Sequence, residues 1–452
     1  MNKKHIDELN IAEENKIVRD NINNLNDEYN VYITIFDDDF NKEKIPYALK
    51  DNISLKGKRM TAGSKYLKSY ISPYNATVVD RLNDKYNVVG KTNLDSFAFG
   101  SSTENSGYFI TKNPYDKSRV AGGSSGGSAA AVGLNMATFA LGTDTGGSVR
   151  LPASFCGVVG YKPTYGLLSR YGLAAMGSSL DVPGIISRSV YDCSYVLNSL
   201  ISKDPKDVQT YESEVNDFTQ FNISGKPKIG LIKELNTQLF TNMMGKDVYS
   251  NYLSSIKLLS QDFDFVEISF KDIEYSLPAY YIITPSEISS NMARYDGIRF
   301  GGDEAKHNSI DEIYYSGREL FEDEVKRRIF IGNFSLSSGY ADKYYENAVS
   351  IRNEIRNKLS DIFNSIDAIF LPTSPNVAFE IGSKTTNPVE MYMEDIFTVS
   401  ANIAGIPAIS IPSGFNEKHL PIGMQLFAKR KDDFKLLSFA NRCEEIFNFN
   451  ND

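Results

Sequence analysis

Gly142-Thr-Asp-Thr-Gly-Gly-Ser-Val-Arg-Leu-Pro152 follows directly on the apolar run Met136–Leu141. A second glycine-dense segment, Gly122-Gly-Ser-Ser-Gly-Gly-Ser128, opens onto the small apolar run Ala129–Leu134. The whole stretch reads as turn, helix, strand, turn. A flexible linker would be flanked by polar sequence, whereas here apolar residues adjoin both segments and the glycines permit close backbone approach. A phosphate-cradling loop needs Lys-Ser/Thr after its last glycine, which neither segment supplies. A serine after two glycines, on a sharp turn at a strand end, suits a nucleophile, because neighbouring backbone N–H groups converge there on a forming oxyanion. Gly-Gly-Ser is also a common turn, so this segment alone leaves Ser148 open.

Working outward, the coarse pattern is α/β. Residues 5 to 28 alternate acids, Asn and Ile/Leu at helical spacing and suggest an exposed N-terminal helix pair. Val31–Phe36 and Ile45–Leu49 read as strands, Val78–Tyr86 as a helix and Asn87–Gly90 as a strand. A helix begins at Ser189. The polar stretch Ser202–Lys228, with Pro205 and Pro227, marks a connection between halves. Beyond it come a strand at Lys228–Ile232, an amphipathic helix on Ile351, Ile355, Leu359 and Ile362, and strands at Ala368–Leu371 and Ala408–Ile411. Such alternation implies a largely parallel sheet.

Bulk properties narrow the function classes. With 452 residues, the chain exceeds the ~250–300 residues at which one core usually stops growing. Hydrophobic residues make up 41% and charged residues 23%, an ordinary globular composition. No apolar run approaches the ~20 residues of a membrane span. The start, Met1-Asn-Lys-Lys-His-Ile-Asp-Glu-Leu9, lacks a signal peptide's apolar core, so the chain reads as cytoplasmic with no membrane partner. Three cysteines and three histidines, all scattered, offer neither a disulfide framework nor a metal site. The net charge of −9, with no cationic run longer than three residues, as in Lys326-Arg327-Arg328, argues against direct gripping of phosphate backbones. If nucleic acid is involved, a partner holds it.

A serine nucleophile needs a base. His5, His307 and His419 lie in a terminus, a polar loop and a charged turn, which disfavours a Ser-His-Asp arrangement. A lysine kept neutral by its surroundings would serve. Lys50 ends the apolar run Ile45-Pro-Tyr-Ala-Leu49 and precedes Asp51-Asn52, at a strand end near the core. An ordinary salt-bridged lysine would read the same way.

The ordered set of motifs decides between these readings. Ala48-Leu-Lys-Asp-Asn52, Gly122–Ser128, Gly142–Pro152, Cys156–Gly166 and Ser178-Ser-Leu-Asp181 together resemble the amidase signature family, most closely from Pro46 to Leu200. The resemblance implies an α/β amidase signature fold, with a large mixed central β-sheet covered by helices on both faces. It also implies one domain over 1–452: an N-terminal helical region (1–45), the signature core (46–201), the polar connection (202–228), and a second half completing sheet and pocket (229–452). By the same resemblance Ser148 is the nucleophile, Ser124 a bridging serine held by a cis peptide, and Lys50 the base. Thr145, Gly146 and Gly147 form the oxyanion hole, Ser125 belongs to the substrate-binding set and helps orient Lys50, and Asp144 and Arg150 brace the turn.

Asp95–Gly100, Ser102–Ser106, Tyr165–Gly172, Ala293–Arg299, Glu324–Ile329 and Ser337–Tyr340 look like one branch of that family, the A subunits of glutamyl-tRNA(Gln)/aspartyl-tRNA(Asn) amidotransferases. That branch implies hydrolysis of free glutamine, with Arg328 on the α-carboxylate, Asp395 on the α-ammonium and Tyr280 or Tyr281 as a pocket wall. It implies B and C subunits for partners and an aminoacyl-tRNA held by the partner. No cofactor belongs to this chain, the partner using ATP and Mg²⁺. The rival is a free-standing amidase for a small or lipid amide, which would lack the two pocket charges. One stretch departs from the family: Asp181-Val-Pro-Gly184 replaces its usual Asp-Gln-hydrophobic-Gly-Pro.

Overall fold

A computed structural model describes residues 4–36, 41–302, 307–385 and 387–449. Eleven strands among them form one sheet. In chain order they are β1 (Tyr32–Ile35), β2 (Ile45–Lys50), β3 (Tyr86–Thr92), β4 (Phe139–Asp144), β5 (Val159–Lys162) and β6 (Val182–Ser187). The second half adds β7 (Lys228–Ile232), β8 (Asp264–Ile268), β9 (Ala368–Pro372), β10 (Ala408–Phe415) and β11 (Pro421–Ala428). Their spatial order is β1-β3-β2-β4-β6-β5-β10-β11-β9-β7-β8, so one sheet runs unbroken through both halves of the chain.

The central strands show why the sheet is covered on both faces. Successive side chains of a strand point to opposite faces. Tyr47, Leu49, Phe139, Leu141 and Ile185 enter one hydrophobic cluster, while their neighbours Ala48, Ala140 and Ile186 enter another. The alanine face receives the helix Gly126–Gly133, whose Ala129–Ala131 are wholly buried. That packing needs a bare backbone: a Cβ at Gly127 would meet the Asn93 carbonyl oxygen at 2.5 Å.

The sheet is mixed, not largely parallel. Parallel pairs join β2 to β3 and β4, and β7 to β8 and β9, while β1–β3, β4–β6, β5–β6, β5–β10, β10–β11 and β9–β11 are antiparallel. A helix between two strands does not make them neighbours, so alternation alone misjudged their direction. The N-terminal segment is likewise not an exposed helix pair. It is one short 3₁₀ turn, Ile6–Glu8, and one helix, Ile11–Tyr29, whose Val18 and Ile22 are buried in the alanine-side core. The helix expected over Val78–Tyr86 is a single turn, Thr77–Asp80, and the strand takes up Tyr86. The polar connection holds neither helix nor strand before β7 takes up Lys228, yet its Phe218 is buried in the main core with Ile229 and Ile232. No helix among the described residues is long and apolar enough to cross a membrane.

Candidate active site

β2 ends at Lys50, which is fully buried between β3 and β4. Its Nζ donates to Ser124 Oγ at 2.8 Å and Thr143 Oγ1 at 2.9 Å, and lies 3.5 Å from the Thr143 carbonyl oxygen. Asn52 Nδ2 also donates to Thr143 Oγ1, at 3.1 Å. No salt bridge reaches Lys50 among the described residues. Burial pushes its amine down to about 7, against the weaker pull of Asp95, Asp144 and Asp181. Low proton affinity is not unique to it, since burial also brings Lys162 to about 7. Lys162 donates to the carbonyls of Pro163 and Ile406; only Lys50 donates to a serine hydroxyl that is itself buried in a glycine loop.

That loop is shaped by what surrounds it. Gly122 has φ +78°, and a Cβ there would meet Pro152 Cα at 2.8 Å. At Gly123 a Cβ would strike the Asp95 carboxylate at 2.3 Å. Asp95 is committed, accepting from the backbone of Thr103 at 2.9 Å and Asn105 at 3.0 Å. The Gly123–Ser124 peptide is cis. Ser125 donates its amide to the Ser148 carbonyl at 3.1 Å, pinning the two glycine segments together. Its hydroxyl reaches the Thr143 carbonyl at 3.3 Å and makes no contact with Lys50. Ser125 thus reaches Lys50 only through Thr143, which bonds the amine directly.

The second segment is braced from beneath by Asp144 and Arg150, both completely buried. Asp144 accepts from the amides of Gly147 at 2.9 Å and Val149 at 3.2 Å, and from Arg150 Nε at 3.1 Å. Burial alone would raise this carboxyl, but Arg150, Lys162 and Asn402 outweigh it and hold it at about 2. Arg150 is further tied to Gln425 at 3.0 Å, the Thr398 carbonyl at 3.1 Å and Asn402 at 2.6 Å. Gly147 has φ +135°, and a Cβ there would meet Thr398 Oγ1 at 2.3 Å. Ser148 is the sole residue of 141–150 that is not buried. The structure thus joins Lys50 to Ser124 and sets Ser148 against the same loop through its backbone. No hydrogen bond links the Ser124 and Ser148 hydroxyls. Of the three expected oxyanion donors, the Gly147 amide is already given to Asp144.

Beside this turn stands a charged pocket. Tyr280 lies against Gly146, where an added Cβ would meet its ring at 2.5 Å. Arg328 is 2% exposed on the helix Asp323–Leu336, its guanidinium 5.2 Å from the Tyr281 ring centroid and 5.4 Å from that of Tyr392. Its Nε donates to Glu324 at 2.8 Å; Arg327 pairs with the same carboxylate, but its side chain is 42% exposed against 3% for Arg328, which is therefore not a solvated helix charge. Asp395 accepts from Ser101 Oγ at 2.8 Å and Tyr281 OH at 2.9 Å. Burial raises its carboxyl to about 7, opposed by those two hydroxyls and Arg328. A cavity of about 190 Å³ opens beside Arg328, bounded by Gly100, Ser102, Glu324 and Tyr392. Ser101, Tyr281, Tyr392, Glu324 and Thr143 complete the site. Sequence flagged most of their segments but not their contacts.

The departing stretch keeps its strand. Asp181 accepts from Thr145 Oγ1 at 2.6 Å, and Val182–Ser187 pairs with β4 along its length. Pro183 lies opposite Thr143, whereas pairing with β5 begins only at Ile185. Proline is tolerated where its missing N–H is not needed by a ladder on both sides.

A buried lysine bonded to a loop serine, beside a glycine-turn serine on this sheet, is the architecture of the amidases. The profile of the Amidase family matches residues 44–437, and the chain belongs to that family. Within it, the chain is 50% identical over 414 residues to the A subunit of the glutamyl-tRNA(Gln) amidotransferase of Persephonella marina, covering 90% of this chain and 84% of that protein. The A subunit of the same enzyme from Thermoanaerobacter pseudethanolicus is 50% identical over 413 residues, covering 90% and 83%. The crystal structure of the corresponding A subunit from Thermotoga maritima superposes with a TM-score of 0.81 at 39% identity, covering 96% of this chain and 91% of that one. A 6-aminohexanoate cyclic dimer hydrolase shares the fold, with a TM-score of 0.82 at 23% identity.

Proposed function

We propose that this chain is the glutamine-hydrolysing subunit of a glutamyl-tRNA(Gln) amidotransferase, with Ser148 as nucleophile, Ser124 as relay and Lys50 as base. The observation that carries the chemistry is the Lys50 Nζ–Ser124 Oγ hydrogen bond of 2.8 Å, made by a buried amine with no carboxylate partner. An amine brought to about 7 is partly neutral near neutral pH and accepts a proton.

In the first half-reaction, Lys50 takes the Ser124 proton while Ser124 takes that of Ser148. Ser148 Oγ attacks the glutamine side-chain carbonyl carbon. The hydroxyl contact between the two serines tightens as substrate seats, as catalytic hydrogen bonds in empty sites commonly do. The oxyanion meets the backbone amides of Thr145 and Gly146, on a turn that Asp144 and Arg150 hold rigid. Lys50 returns its proton through Ser124 to the leaving nitrogen, the C–N bond breaks, and ammonia departs from a glutamyl–Ser148 ester. Water then attacks the ester, passing its proton along the same relay, and Ser148 leaves with a proton regained.

Glutamine over a plain amide is selected at Arg328 and Asp395. The guanidinium, held beside the stacked rings of Tyr281 and Tyr392, keeps its outer edge for a carboxylate. Asp395, ionised when an ammonium approaches, pairs the other end. The named relatives and these two charges favour this reading over a free-standing amidase. B and C subunits, an aminoacyl-tRNA carried by the partner, ATP and Mg²⁺ used there, and cytoplasmic residence complete the proposal. The test is ammonia release from glutamine by purified protein, alone and with its partners. Ser148→Ala should abolish it at unchanged melting temperature, and retained activity in that variant would refute the assignment.

A further inference from the structure

The helix Val399–Ala404 begins at Thr398, whose hydroxyl donates to the Gly146 carbonyl at 2.6 Å. Its far end, closed by Gly405, opens on a separate cavity of about 350 Å³. Tyr165 follows β5 into its wall, Arg356 and Phe363 come from the end of the Asn347–Ile362 helix and the residue after it, and Lys429 and Arg430 follow β11. None of these residues has a part in amide hydrolysis.

The charge in this cavity is one-sided. Arg356, Lys429 and Arg430 line it and no acidic residue does, in a chain whose net charge is −9. Arg352, one turn before Arg356 on the same helix, is a fourth cation behind the lining, its Nη1 donating to Ser179 Oγ at 3.1 Å. Burial first, then Arg352 and Arg430, depress the proton affinity of Arg356. No salt bridge reaches any of the four among the described residues. Nearby acids are engaged elsewhere: Asp207 with Arg170 at 2.6 Å, Asp433 with Tyr161 and Thr164, and Asp432 at 3.7 Å from Lys435. Arg356 spends one donor on the Ile403 carbonyl, at 2.8 Å, which caps the helix end and leaves the outer guanidinium edge unused. Arg352 Nε is buried with no acceptor at all. Like charges gathered in a recess repel one another, and a multivalent anion is what relieves them; guanidinium forks match phosphate geometry. The rest of the wall is aromatic and apolar, from Tyr165, Phe363 and Ile406, and the volume suits a small organic ligand.

We propose that this cavity binds a small ligand carrying two or more phosphates on an aromatic body, the chemistry of a nucleoside diphosphate. The phosphates meet Arg356, Lys429 and Arg430, and the planar body lies against Tyr165 and Phe363. The site is not of the Walker kind, which the chain lacks, and needs no part of the amide-hydrolysing centre.

Calorimetric titration of the purified chain with ADP, pyrophosphate and adenosine tests it. One ADP per chain is expected, with pyrophosphate weaker by about tenfold or more and adenosine silent. Arg430→Glu and Lys429→Glu, both at exposed positions, should each weaken ADP by about tenfold or more while glutamine hydrolysis is unchanged. Absence of binding by ADP at millimolar concentration overturns the proposal. So does ADP affinity unchanged in Arg430→Glu, or pyrophosphate binding as tightly as ADP, which would leave the aromatic wall without a role.

Discussion

Replacing Lys50 by methionine tests the general-base reading through stability as well as activity. Lys50 is fully buried, and burial lowers its amine from 10.5 to about 7. A tenfold change in proton affinity is about 1.4 kcal/mol, so this drop amounts to about 5 kcal/mol. Between these two values the unfolded chain binds a proton at Lys50 and the folded chain does not. Stability therefore rises with pH across that window, by about 1.4 kcal/mol per pH unit, and the contribution is smallest below pH 7. Methionine fills similar volume without a charge to desolvate, but it strips Ser124 Oγ of a partner, a cost of about 1–3 kcal/mol. Thr143 Oγ1 keeps Asn52. At pH 7 the Lys50→Met protein should thus be inactive yet more stable than wild type by about 2 kcal/mol, a gain that vanishes and reverses toward pH 10. Urea denaturation of both proteins from pH 6 to 10 measures the difference, and wild-type glutamine hydrolysis should climb with pH through about 7. Stability curves that stay parallel across that range, or a turnover flat from pH 6 to 8, would show that Lys50 is not the group that deprotonates.

Named contacts set three further outcomes. Arg328→Ala should raise KM for glutamine about 10–100-fold, the worth of a charged hydrogen bond lost, while a simple primary amide is turned over as before; equal losses on both would move the carboxylate site elsewhere. Arg150→Met leaves the Asp144 carboxylate buried and unpaired, so it should destabilise the fold by about 3–5 kcal/mol, read as a lower urea midpoint, and pull the Ser148 turn out of order. The isolated chain should bind tRNA weakly at physiological salt and form no Gln-tRNA, both appearing only on reconstitution with its partners; tight binding by this chain alone contradicts the division of labour.

Much of the site was legible because its parts are contiguous. Gly122–Ser128 and Gly142–Pro152 demand left-handed or crowded backbone at several positions, so their glycines and the two serines between them carry the local geometry in the letters themselves. The position of Lys50 at a strand end could likewise be read from the apolar run before it. Contacts between segments could not. Thr143, not Ser125, grips the amine, and this depends on β2 lying beside β4. Arg328 lies against the stacked rings of Tyr281 and Tyr392, which are more than forty positions before it and more than sixty after it in the chain. Its neighbours Lys326 and Arg327 carry the same charge, yet Arg328 alone of the three is buried.

Strand direction failed for the same reason. Periodicity along one segment states helix or strand and which side is apolar, since a strand's faces alternate with period two. It says nothing of which strand will lie alongside, and β6 runs antiparallel to β4 although a turn, a helix and β5 separate them in sequence. The N-terminal helix was misread as exposed because its apolar side, Val18 and Ile22 with Leu25 and Tyr29 beside them, gains a core only when the alanine face of the sheet is assembled beneath it. Local backbone chemistry is written residue by residue, whereas neighbours across the sheet, the burial that lowers Lys50, and the pairing that makes Arg328 a pocket residue arise only when distant segments exclude water together.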